Sequence, residues 1–433
     1  MRIVIFEDDA TYNFEPLTLM RGAFDLRIGL FSFADRVKYY MQVEQVDFMT
    51  REYIAEYMRR KKKARANEPE TIDDETIFIN GLLVFDKNLY KIALRIKPET
   101  VVLKRNRILM AKFSEAPARE LAPLFMNAPS PENLKIIMEK ANEKIEYEGD
   151  ALITYFWELI ERNGAQIVED YEAMPRLKSK IPSGAHIVGK RRNVYIGRDT
   201  EIAPYVVLNA EKGPIYIGEG CEINSWSFIE GPAYIGPGAI VHPTSIIREG
   251  SNIGAVCRVG GEIEETIIQG YSNKQHTGFL GHAYVGEWVN LGALFTNSDL
   301  KNTYGNIRMT IKGRRVDSGR IKLGGIIADH VKASIGTLLY TGKKVGVASR
   351  IEGLIAEDVP SFVFYARTHG LPVWEIEVEE AIKVAKRMMS RRKVELTEDD
   401  EKLLRKVFEL TQDERESIKP RKGFFEFANL FLG

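Results

Sequence analysis

The sequence holds only six histidines, and two of them, His276 and His282, fall in one twelve-residue segment, YSNKQHTGFLGH (271–282), that also carries Lys274. Acyl transfer to an amine or a hydroxyl needs a base with a pKa near neutrality beside a cleft, and imidazole is the side chain tuned for it. Read structurally, His276 is instead a corner residue bonded to backbone. A second concentration lies near the amino end, where the apolar run Ile3 to Phe6 gives way to Glu7, Asp8 and Asp9 and is followed by Arg21, Arg27 and Arg36. Nucleotidyl transfer needs cations to neutralise polyphosphate and a carboxylate to hold Mg²⁺, so arginines and acids at a strand end make chemical sense. Arg21, Arg27 and Arg36 are the cations expected near phosphate, and Asp8, Asp150 and Asp170 the expected metal ligands. The alternative is that Arg21 and Arg27 are structural ion-pair formers with Asp25.

Such side chains need a scaffold, and the clearest one is a repeat. Counting from Ile217 in steps of six gives Ile223, Ile229, Ile235, Val241, Ile247, Ile253 and Val259, and glycine follows at 218, 236, 254 and 260. This hexapeptide pattern predicts a left-handed parallel β-helix: each hexad is one flat face of a triangular coil, 18 residues make a turn, and the aliphatic residue points into the prism. The handedness comes from the repeat type, because this coil departs from the right-handed crossover rule. Hexads at Ile196 and Ile202 precede a three-residue offset at 210–213, an expected outward bulge; later ones fall at Val285 and Leu291, then at Ile327, Ala333, Leu339, Val345 and Ile351. The longest failure, Val259 to Val285, spans 26 residues and contains both histidines. Residues 297–320, with Tyr304 and the run KGRR (312–315), form either a structural hairpin or a loop reaching a neighbouring subunit's site.

Residues 1–176 mix strands (Ile3–Phe6, Ile77–Asn80, Ile108–Ala111) with helices: one that Thr50 would cap, one opened by Ser130 and Pro131, and one from Asp150 to Asn163 stopped by Gly164. That mixture predicts an α/β layer domain. The segment 176–184 reads as a linker, the coil occupies 177–355, and 356–433 is helical, with Val378, Ile382, Ala385 and Met389 on one face and capping boxes at Thr397 and Thr411. A chain of 433 residues exceeds one core. Sixty-one Lys plus Arg balance 61 Asp plus Glu, which removes the basic footprint of a nucleic-acid binder. Cys221 and Cys257 offer neither a disulfide framework nor metal-ligand spacing, so a reducing cytosol fits best. No signal peptide or membrane span is expected, and the protein should be soluble and cytoplasmic.

Residues 180–355 resemble the acetyltransferase half of the bifunctional N-acetylglucosamine-1-phosphate uridyltransferase/glucosamine-1-phosphate N-acetyltransferases. The run VNLGALFTN (289–297) looks like that family's signature shortened by two residues, and His276 to Gly281 looks like the stretch holding its general base. The resemblance implies His276 as catalytic base, Arg248 as a sugar-phosphate ligand, and Lys274, Asn290 and Asn297 as further substrate-binding residues. It also implies acetyl-CoA as co-substrate and a homotrimer. Two departures bear on the acceptor: Glu265 stands where the family has lysine, and Ser298 where it has tyrosine. At the amino end, Pro16 to Gly29 (PLTLMRGAFDLRIG) resembles the segment after the first strand in sugar nucleotidyltransferases, with Arg21 catalytic, although Glu7 to Tyr12 replace the usual phosphate loop and the motif lysine falls at Ala23. The expected whole is a sugar-1-phosphate nucleotidyltransferase fused to an acetyltransferase acting on an amino sugar phosphate. The alternatives are an acyltransferase with a binding-only first domain, or a non-catalytic trimeric scaffold.

Overall fold

A computed structural model describes residues 1–175, 182 and 184–423 of the chain. The expected linker lies outside the described residues apart from Pro182 and Gly184. The chain folds as two compact units: Met1–Arg27 with Phe31–Glu158 and Glu398–Leu403, and Ile28–Leu30 with Leu159–Thr397 and the chain from Leu404.

The first unit is built on a six-stranded mixed sheet, ordered 47–49, 2–6, 76–80, 107–113, 100–104 and 143–146. Arg2–Phe6 and Thr76–Asn80 are parallel central strands, and Thr76–Asn80 is wholly buried, as its unbroken apolar run requires. Phe6 and Phe78 both pack on Phe125, with ring centroids 4.8 and 4.3 Å apart. Ser130 caps the helix Pro131–Glu139 by accepting from Asn133 N at 3.1 Å. Thr50 caps nothing: its hydroxyl donates to the buried Glu7, and the helix Glu52–Tyr57 starts from Arg51.

In the second unit the aliphatic positions Ile217, Ile223, Ile229, Ile235, Val241, Ile247, Ile253 and Val259 are all buried in one prism core. Three parallel sheets form its faces, and the bulge is present as a 21-residue turn from Ile196 to Ile217. Glycine after the aliphatic residue is a matter of clearance between turns: a Cβ on Gly254 would lie 2.1 Å from the Gln269 carbonyl oxygen. The coil does not lapse between Val259 and Val285. It tightens, since the 18-residue turns end at Ile253, which pairs with Ile268, which pairs with Val285, so that the next turns take 15 and 17 residues. Corner residues Val256, Glu265, Tyr271 and His282 take left-handed φ of 59°, 40°, 53° and 49° to make these short corners.

Between Val285 and its partner Ile327 the chain leaves the coil, and Arg308–Ile311 pairs with Arg314–Asp317 as a two-stranded hairpin. Its turn, Lys312-Gly313, has positive φ at both residues, the twist that suits a tight hairpin.

The helix Phe156–Ala173 continues through Gly164 instead of stopping there. A glycine costs a helix about 1 kcal/mol, which packing offsets. Here Asn163 Nδ2 donates to Gly250 O at 2.8 Å, and Asn163 Oδ1 accepts from Gly29 N at 2.9 Å. Helices Val378–Ser390, Glu398–Leu410 and Gln412–Ile418 follow the coil. Thr411 forms no capping box, because its hydroxyl donates back to Val407 O at 2.8 Å. The coil ends with Trp374–Glu375 pairing antiparallel on Val363–Tyr365, and Val373, Tyr365 and Ile418 pack at that end of the core. Among the described residues no helix is long and apolar enough to cross a membrane.

Candidate functional site

At the end of the first strand, Glu7 is buried against Arg51, whose Nε reaches Oε2 and Nη2 reaches Oε1 at 3.0 Å each, while Ala23 N donates to Oε1 at 2.8 Å. Burial works to raise the Glu7 carboxyl, but the Arg51 guanidinium and these hydrogen bonds hold it below the usual range. Asp8 caps the turn Asp9–Phe14 through Ala10 N, and its Oδ2 takes Asn80 Nδ2 at 2.9 Å and Arg107 Nη2 at 2.7 Å. Arg21 is buried beside this cluster, its carbonyl accepting from Arg51 Nη2 at 2.8 Å, and Arg27 is half-buried. Arg36 is fully buried in the helix Phe33–Met41, its guanidinium 5.5 Å from the Phe31 ring centre, and is withdrawn from any phosphate arriving through solvent.

Asp150 is exposed in the first unit. Asp170 is buried in the second, where it accepts from Leu30 N at 2.8 Å and Gln166 Nε2 at 3.0 Å. Among the described residues no three His, Cys, Asp or Glu side chains gather as a metal site, so Asp8, Asp150 and Asp170 do not form one. These residues do not fit a protein-held Mg²⁺: the Asp8 carboxylate is already committed to Arg107 and Asn80.

In the second unit the shortened turns open a cleft of about 790 Å³ at one corner of the coil, lined by His242, Ile246, Glu262, His276, Phe279 and Leu294 among others. His276 is exposed there. His242, on the preceding turn, was not among the residues the sequence singles out. Its only signal is that it stands at the corner after Val241, one turn of coil below the segment 271–282. Burial, then the charges of Arg258 and His276, hold its imidazole below the ordinary range, so it is neutral at pH 7. Two imidazoles and a carboxylate on an open wall can accept a proton from a nucleophile and hold its polar groups.

The other implied residues are placed differently. Lys274 occupies an interior position of the prism, in register with Val259, and its Nζ donates to Gly260 O at 2.9 Å and His276 O at 2.6 Å. Burial brings it down to about 8, and it holds the His276 backbone rather than facing the cleft. Asn297 is buried and clamps Gly281, accepting from its N and donating to its O at 2.8 Å each. Arg248 pairs with Glu262 at 3.0 Å. Asn290 lies on the outer face of the coil, accepting from Asn273 Nδ2 at 3.2 Å.

His282 is the opposite of His276. It is buried with Asp299 Oδ2 2.9 Å from Nδ1 and Glu265 Oε2 3.3 Å from Nε2. Burial opposes its charge, yet the hydrogen bonds to Asp299 and then Glu265 outweigh that and push it up to about 9. Glu265 and Asp299, the two positions flagged as departures or their neighbour, thus meet on one imidazolium.

An α/β unit carrying a parallel β-helix is the class that fold and cleft define. Residues 3–178 match the family model described as Sugar nucleotidyl transferase. Part of the chain is similar to the bifunctional sugar-1-phosphate nucleotidylyltransferase/acetyltransferase of Sulfurisphaera tokodaii, at 37% identity over 142 residues, 32% of this chain and 35% of that protein. Another part-length relative is the bifunctional protein GlmU of Gloeobacter violaceus, 30% identical over 139 residues, 31% of this chain and 27% of that one. The chain therefore spans about a third or less of the length of these curated relatives. Among solved structures, the UDP-N-acetylglucosamine acyltransferase of Francisella novicida is 16% identical, covering 55% of this chain and 85% of its own, with a TM-score of 0.26.

Proposed function

We propose that the chain is a two-site transferase of nucleotide-sugar synthesis. Residues 1–176 would transfer a nucleotidyl group from a nucleoside triphosphate to a sugar 1-phosphate with release of pyrophosphate. Residues 177–355 would transfer an acetyl group from acetyl-CoA to an amino sugar phosphate, with the segment 356–433 packed on the coil. The observation that carries the second activity is the exposed His276 in an open cleft beside a neutral His242. There the acceptor nitrogen attacks the thioester carbonyl, the C–N bond forms and the C–S bond breaks. His276 takes the proton lost by nitrogen, and the departing sulfur leaves as the thiol.

The match of residues 3–178 to a sugar nucleotidyl transferase model supports the first activity, with Arg21 as the cation nearest the Glu7 cluster. No step is assigned to a metal. A second reading, acyl transfer with a binding-only first domain, is favoured by the internal pairing of Glu7 with Arg51 and Asp8 with Arg107. A homotrimer is supported by exposed apolar side chains along the coil, Ile246, Leu294, Ile335, Leu338 and Tyr340, two of which border the cleft.

The test is His276→Ala. Acetyl-CoA affinity should stay nearly constant while acetyl transfer falls about 10²–10⁴-fold, the usual share of a general base. Full transfer in the variant would overturn the role of His276, and absence of acetyl-CoA binding by the wild type would leave the scaffold reading. Incubating the protein with sugar 1-phosphates, nucleoside triphosphates and Mg²⁺ and assaying pyrophosphate decides between the two readings of the first domain.

A further inference from the structure

A second cavity in the same unit, about 270 Å³, lies between the outer face of the coil and the helix Val378–Ser390 with the two residues after it. One wall is a ladder in strict register: Arg258 pairs with Asn273, Asn273 with Asn290 and Asn290 with Lys332. These residues stand outward because their neighbours Val259, Leu291 and Ala333 point into the prism. The facing wall supplies Arg387, Arg391 and Arg392. Five cations thus line one small cavity with no carboxylate among the lining residues, and among the described residues none of the five forms an ion pair.

Arg392 is the most informative. Its Nη2 donates to Asn273 Oδ1 at 2.6 Å, and its Nε is buried without a hydrogen-bond partner. Because Asn273 Oδ1 accepts from Arg392, Asn273 Nδ2 is the group that donates to Asn290 Oδ1, at 3.2 Å, which leaves the Asn290 amide as the donor end of the chain on a residue lining the cavity. Lys332 is held in place by donating to Trp288 O at 2.9 Å and His330 O at 2.7 Å. The next rung, Arg350, is by contrast neutralised by Glu380 at 3.2 Å, so the helix supplies a carboxylate one step beyond the cavity and none within it.

Bringing like charges together out of water is costly unless a counter-charge arrives. Burial, then Arg258 and Arg391, hold the Arg392 guanidinium below its ordinary range. We propose that this cavity binds a small anion of the phosphate class, either inorganic pyrophosphate or a phosphomonoester, at a site separate from the His276 cleft. Guanidinium forks and amide donors on two walls suit phosphate oxygens, and the volume is below that of a drug-sized site. Only Gln275 lines both cavities.

The full-length protein is titrated calorimetrically with pyrophosphate and, separately, with glucose 1-phosphate at low ionic strength, as wild type and as Arg258→Gln and Arg387→Glu, one from each wall. Circular dichroism checks that each variant is folded. Anion bound at the first domain is unchanged by either substitution, so the difference between wild type and variant isolates the cavity. The site is supported if one anion binds and a variant weakens it about tenfold or more, the scale of a charge-assisted contact, and the tighter anion identifies the source. It is overturned if neither anion binds, if both folded variants bind as the wild type does, or if coenzyme A displaces the anion, since the cavity would then hold part of the acyl donor.

Discussion

Arg51 in the first unit and Arg392 in the second show two ways of burying a guanidinium. Arg51 meets both oxygens of Glu7, adds the Arg21 carbonyl, and stacks at 5.4 Å on the Tyr53 ring. Arg392 has an asparagine oxygen at 2.6 Å, cations around it and a partnerless Nε. The first arrangement is complete within the chain. The second is completed from outside, and that difference separates a framework from a receptor more sharply than sequence motifs do.

The comparison is sharpened most by exchanging both arginines for an apolar side chain of similar length. Arg51→Met leaves Glu7 buried and unpaired and should cost about 3–5 kcal/mol in urea unfolding. Arg392→Met removes repulsion and should be close to neutral without added anion. Equal losses would break the comparison.

A somewhat smaller effect is expected at His282, where the second unit does complete a charge internally. Its pKa is raised from 6.5 to about 9 in the folded state, so its stabilisation is fully present below pH 6.5 and is lost as pH rises through 9. His282→Asn, which tolerates the left-handed corner, should therefore lose about 3 kcal/mol relative to wild type near pH 6. That deficit should shrink towards pH 10, as urea midpoints at the two pH values would show. Asp299, held low by His282 against the effect of burial, adds the mirror dependence, lost as pH falls towards the acid range. A deficit that does not change with pH would make His282 a packing residue. The smallest effect concerns Arg21. Arg21→Ala should slow pyrophosphate release by about 1.5–3 kcal/mol of lost phosphate contact, and full turnover would place it with Arg51 as framework.

The coil from Ile217 to Val259 is legible because 18 residues per turn keep every sixth side chain inside, and a period survives in sequence. The turns after Val259 are hidden because their shortening rests on non-glycine residues in left-handed corners, Val256 and Tyr271 among them, which carry no composition signal. Lys274 misleads for the same reason: a lysine inside the prism reads as a surface cation until the carbonyls of Gly260 and His276 are seen around its ammonium. His276 is legible as scarce chemistry at a break in the repeat. His242 is not, since stacking alone brings it alongside. The cavity at Arg392 is the least readable, because its walls lie more than a hundred residues apart in the chain.

The antiparallel strand Trp374–Glu375 at the end of the coil has a consequence for solubility. A stack of parallel strands ends in open rungs that can template another stack, so an uncapped prism would grow end to end into fibres. Reversing the strand direction at Val363–Tyr365 and seating Val373 and Ile418 on the last of the core closes that end to a second prism. The coil thus keeps a fixed length as a discrete particle, and the tendency to self-associate is left to its sides.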